Sequence, residues 1–75
     1  FTRRATIPFT IPVRSHVILD VFDSLGRHQA RIIDRRLEPG KHRIDWIPRD
    51  LPAGNYYYTL RAGDERGHGV LVFVR

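Results

Sequence analysis

Apolar residues in this chain recur at every second position, in short runs separated by turn-forming residues. Thr6-Ile7-Pro8-Phe9-Thr10-Ile11 puts Ile7, Phe9 and Ile11 on one face of an extended segment. Pro8 has no N–H to donate, which predicts an edge strand or a bulge there. From His16 to Phe22, Val17, Leu19 and Val21 share one face, while Ile18, Asp20 and Phe22 take the other. Asp23-Ser24-Leu25-Gly26 then reads as a turn, with Asp bonding the backbone through its side chain and Gly allowing positive φ. A third strand is expected over Gln29 to Leu37, centred on Ile32 and Ile33. Glu38-Pro39-Gly40-Lys41 predicts a hairpin, because Pro fixes φ at the second turn position and Gly frees it at the third. The return strand would run from His42 to Trp46. Pro48, Pro52 and Gly54 mark the stretch from Ile47 to Gly54 as a loop crossing between sheets. Asn55 to Ala62 reads as an aromatic strand, and Gly63 to Gly67 turns it into a last strand, His68 to Val74.

Turn signals every 8–12 residues or so, separating about seven short strands, are the pattern of an all-β sandwich or barrel. The expected core is Ile7, Phe9, Val17, Leu19, Val21, Ile32, Ile44, Trp46, Tyr56, Tyr58, Leu60, Val70, Val72 and Val74. The opposite face is also partly apolar, with Ile18, Phe22, Tyr57, Leu71 and Phe73. The last strand, Gly69 to Val74, is therefore apolar on both faces. A loop could cover its second face, neighbouring Arg stems could pack on it, or another molecule could bind it, as exposed apolar patches and strand edges allow.

The chain has 75 residues, which suits one domain. Its formal net charge is +5, and every cation except Lys41 is an arginine. Such a balance favours anionic partners, but Arg and acidic residues alternate along most of the chain, which reads as a solvated surface. Without cysteine, no disulfide or thiolate metal site is available. His16, His28, His42 and His68 lack the short paired spacing of zinc ligands and read as solvated residues, with His16, His42 and His68 at strand starts. Asp20, Asp23 and Asp34 follow no calcium-loop spacing. Ser15 and Ser24 have no nucleophile motif around them, and Gly67-His68-Gly69 precedes a strand where a phosphate loop would precede a helix. No catalytic residue, metal or cofactor is expected, and a nucleic-acid partner is not. Although Tyr56, Tyr57 and Tyr58 lie amid Arg, alternation sends Tyr56 and Tyr58 to the core face.

Several segments together carry a family likeness: His16-Val17-Ile18-Leu19-Asp20-Val21-Phe22-Asp23-Ser24-Leu25-Gly26-Arg27, Leu37-Glu38-Pro39-Gly40-Lys41-His42, Trp46, Asp50-Leu51-Pro52-Ala53-Gly54-Asn55-Tyr56-Tyr57-Tyr58, and the closing apolar strand. In this order they resemble the C-terminal sorting domain of type IX secretion cargo, and are similar to the related immunoglobulin-like domain of the flagellar hook-capping protein. The resemblance implies an immunoglobulin-like antiparallel β-sandwich over residues 6–75, with residues 1–5 as a linker remnant behind a longer secreted bacterial protein. It implies recognition by outer-membrane secretion machinery, passage through the periplasm to the cell surface, and in many members processing by a sortase-like peptidase that joins cargo to anionic lipopolysaccharide. By position, Pro52, Gly54 and Tyr56 match the Pro-x-Gly-x-Tyr element, and Val70, Leu71, Val72, Phe73, Val74 and Arg75 match the terminal strand. These nine are the expected partner-binding residues, with Leu71 and Phe73 offering apolar contact outside the core. Two other readings remain open: a non-catalytic adhesive or carbohydrate-binding module beside a secreted hydrolase, using Tyr57, Phe22 and Arg residues, and an assembly domain of a flagellar-type scaffold.

Overall fold

The computed structural model describes residues 4–48 and 51–74. Its described elements are six strands: β1 (Ala5–Ile11), β2 (Ser15–Asp23), β3 (His28–Leu37), β4 (Gly40–Trp46), β5 (Gly54–Ala62) and β6 (Glu65–Phe73). They form two antiparallel sheets, β1-β4 and β3-β2-β5-β6, an all-β sandwich of the immunoglobulin-like kind. The larger sheet has the order of strands C′, C, F and G of such sandwiches, and the smaller pairs the equivalents of B and E. Ala5, expected in the lead-in, is buried and opens β1.

Side-chain alternation explains the assembly. Val17, Leu19 and Val21 are completely buried on the inner face of β2, opposite Ala62, Leu60 and Tyr58 of β5. Ile7 and Ile11 close the core from β1, where Ile7 lies opposite Ile44 of β4. Burying each such aliphatic side chain contributes about 1.5–3 kcal/mol. Pro8 sits exposed on β1, whose single strand neighbour is β4, as its missing N–H requires.

Three expectations are corrected. Glu38-Pro39-Gly40-Lys41 does not close a hairpin: β3 pairs with β2 and β4 with β1, so this turn carries the chain from one sheet to the other. The pairing with β1 is favoured because it sets Ile44 and Trp46 beside Ile7 and Ala5 on the core face. On β3, Ile33 rather than Ile32 is the buried isoleucine. A bulge between Leu19 and Asp20 leaves Ile32 without a cross-strand partner in β2, and both isoleucines contribute to the core.

The third correction concerns β6. Val70, Val72 and Val74, expected in the core, are 59%, 49% and 49% exposed, whereas Leu71 packs against the core and Phe73 is half-buried. The reason is the turn. Ala62 pairs with Glu65, so the loop is only Gly63-Asp64 instead of the expected five residues. That register sets Tyr56 opposite Leu71 and Tyr58 opposite Gly69, and a one-residue change of register inverts every side chain. His68 consequently lies in mid-strand, not at a strand start.

Candidate functional site

The β2–β3 turn forms as its residues predict. Asp23 Oδ1 accepts hydrogen bonds from the backbone N–H groups of Leu25 and Arg27, both at 2.9 Å, and Oδ2 accepts one from Arg27 Nε at 2.8 Å. The Arg27 N–H bond is the largest of several that hold the Asp23 carboxyl below its ordinary range. Facing this turn across an open groove of ≈ 500 Å³ is the Leu51–Tyr56 segment.

That segment explains the Pro-x-Gly-x-Tyr spacing. The Tyr56 ring is buried at the start of β5, and its hydroxyl donates to the Pro52 carbonyl at 2.6 Å. Such a bond, from near the start of the strand equivalent to F back to the chain upstream, is the tyrosine corner of immunoglobulin-like sandwiches. Gly54 provides the bend with φ +152°, where a side chain would be strained. The corner and the last strand are also brought together, because Gly54 pairs with Phe73 and Tyr56 with Leu71. Of the nine expected partner-binding residues, Pro52, Gly54, Val70, Val72 and Val74 are exposed, Leu71 and Phe73 are half-buried, and Tyr56 is buried. Leu71 is a core residue rather than an outer contact. Arg75 lies outside the described residues, as does Asp50 of the motif.

The outer face of the larger sheet carries the rest of the chemistry. Asp20 is 9% exposed and receives two bonds from Arg31, Nε to Oδ1 at 2.9 Å and Nη2 to Oδ2 at 3.2 Å. His28 Nε2 approaches the same Oδ1 at 2.9 Å. The Arg31 bond is the main cause that lowers the Asp20 carboxyl below its usual value, against a desolvation that raises it, and Arg31 is raised in return. His16 Nε2 meets Asp34 Oδ1 at 2.6 Å. Asp20, Asp23 and Asp34 are therefore each held by arginine, histidine or backbone groups, and Arg31 also reaches Asp34 at 3.7 Å. This network was hidden in the sequence, since Arg31 becomes the partner of Asp20 only through the β2–β3 bulge.

On the same face, Phe22, Tyr57 and Val70 occupy one row across β2, β5 and β6, and the Phe22 ring meets His28 edge-on at a centroid distance of 5.4 Å. Arg61 and Arg66 face each other across β5 and β6. Comparison with protein-family models, curated proteins and solved structures returns no match.

Proposed function

We propose that this chain is a non-catalytic protein-recognition module that directs a secreted cargo through a type IX export apparatus to the cell surface. The observation that carries this reading is the stripe of Val70, Val72 and Val74. Val70 and Val72 lie on β6 at the edge of its sheet, with Val74 directly after it, and Val70 is paired with a Tyr57 that is 42% exposed. An edge strand with an apolar face can be read by a partner through backbone pairing and side-chain pockets together. The likeness of the strand-turn and Pro-x-Gly-x-Tyr segments to sorting domains supplies the biological context. The tyrosine corner would then serve recognition indirectly, by fixing the path of β5, against which β6 is laid.

The test is to fuse the 75 residues behind a periplasmic reporter in a bacterium competent for type IX secretion, then to assay the cell surface. Because Leu71 packs in the core, deleting residues 70–75 would also damage folding. The sharper variant is the triple change of Val70, Val72 and Val74 to Thr, which keeps β-branched shape. Surface delivery by the parent fusion, lost in the triple variant while its melting is unchanged, supports the reading. A parent fusion that folds but stays in the periplasm, or a triple variant that is exported normally, defeats it.

A further inference from the structure

Arg61 and Arg66 are direct cross-strand partners, both exposed on the outer face of the larger sheet. Like charges placed opposite one another destabilise a sheet. Among the described residues, neither guanidinium has a carboxylate partner. Asp20 and Asp34, the acids of this face, are already held by Arg31, His28 and His16. The carboxylate of Asp20 is thereby neutralised where it borders the groove, of ≈ 390 Å³, that Ile18, Thr59, Arg61, Arg66 and His68 also line. An unpaired double positive charge thus lies at one end of a concave surface. One row along is Thr59 opposite His68, and the next is the aromatic row of Phe22, Tyr57 and Val70.

We propose that this face binds an acidic saccharide, one bearing carboxylate or phosphate groups on a pyranose chain. Two arginines paired across the strands and lining one groove can both donate to an oxyanion, whose charge removes the repulsion between them. Thr59 and His68 supply hydrogen-bonding groups in the middle row. Tyr57, beside Phe22, offers a flat aromatic surface for the C–H face of a sugar ring. Alternate residues of a strand are about 6.6 Å apart, so the arginine and aromatic rows, two such steps apart, are separated by about 13 Å and reach separate units of one oligosaccharide. A nucleic acid fits less well. Its phosphates repeat at every unit and call for a cationic track along the whole strand, whereas the far end of this face is Val70 and Val72. The site does not depend on a role in export, since it is read by binding alone.

The experiment titrates the 75-residue chain at low salt with polygalacturonate, with neutral dextran, inorganic phosphate and an oligo-dT strand as comparison probes. Polygalacturonate is expected to bind, with affinity reduced at least tenfold in Arg61→Gln/Arg66→Gln and severalfold in Tyr57→Ala. Dextran is expected not to bind. The double variant should melt at or above the parent temperature, because it removes a repulsive pair, so its loss of binding cannot be assigned to unfolding. The proposal is overturned by absence of polygalacturonate binding, by binding that survives the double variant, by full competition from inorganic phosphate at equal charge concentration, or by oligo-dT binding more tightly than polygalacturonate. Unchanged binding in Tyr57→Ala would also overturn it, since the site would then hold an oxyanion with no sugar contact.

Discussion

At the scale of single residues, two polar groups matter more than their surroundings suggest. Tyr56 is buried, and its hydroxyl is bonded to Pro52. Tyr56→Phe is expected to cost about 1 kcal/mol, because one hydrogen bond is lost while the ring still packs. Urea denaturation measures this, and an unchanged midpoint would mean the corner contributes nothing. Asp20 gives a pH dependence. Its folded pKa lies below the unfolded value of about 3.9. Its stabilisation is therefore complete above that value and lost as pH falls through the folded pKa, so the loss belongs to the acid side of about pH 4. Denaturation curves from pH 7 to pH 2 should show an acid limb that Asp20→Asn flattens; an equally steep limb in that variant would assign it elsewhere. The turn at Asp23 was legible in the sequence because the backbone groups its side chain binds lie within four residues. The Asp20 network was not, because it joins strands through a bulge that no local pattern announces.

The strands show where a sequence pattern carries information and where it does not. Alternation located β1, β2 and β5 with their inner faces correct, since each has one face plainly more apolar. On β6 both faces are apolar, so alternation alone could not choose, and the choice fell to the length of the Gly63-Asp64 turn. A signal was present in Gly69. A glycine inside a strand often marks the close approach of another group, and here the Tyr58 ring lies over Gly69, where an added Cβ would overlap it. Gly69→Ala should destabilise by about 1–3 kcal/mol through overpacking. The same register predicts a contrast between neighbours. Val70→Thr should change stability by less than about 0.5 kcal/mol, while Leu71→Ala should cost about 1–3 kcal/mol for its half-buried side chain. Thermal melts of the pair in which Val70→Thr proved the more damaging would require the inverted register. The Pro-x-Gly-x-Tyr element was legible only as spacing; its physical meaning, a bent backbone tied down by a tyrosine, appeared with the fold.

At the scale of the whole molecule, a domain this small has a total stability of about 4–11 kcal/mol by the usual range per residue. Leu19→Ala, which would empty a completely buried position in β2, should remove about 2–5 kcal/mol of it. The sandwich is also unequal. β2 and β5 each have strands on both sides, whereas among the described residues β1 and β4 are hydrogen-bonded in the ladders only to each other and meet the larger sheet through side chains. Two layers of this kind need not open together. The small layer can lift away at the cost of its apolar contacts and its own ladder, leaving the four-stranded layer paired. Native-state hydrogen exchange would then resolve two cooperative units, with amides of β1 and β4 exchanging through a partial opening and those of β2 and β5 only through global unfolding. Equal protection in both layers would mean that side-chain packing alone binds them into one unit. In the two-unit case, a polypeptide fed through a narrow passage could shed β1 and β4 first and still present the face made by β3, β2, β5 and β6.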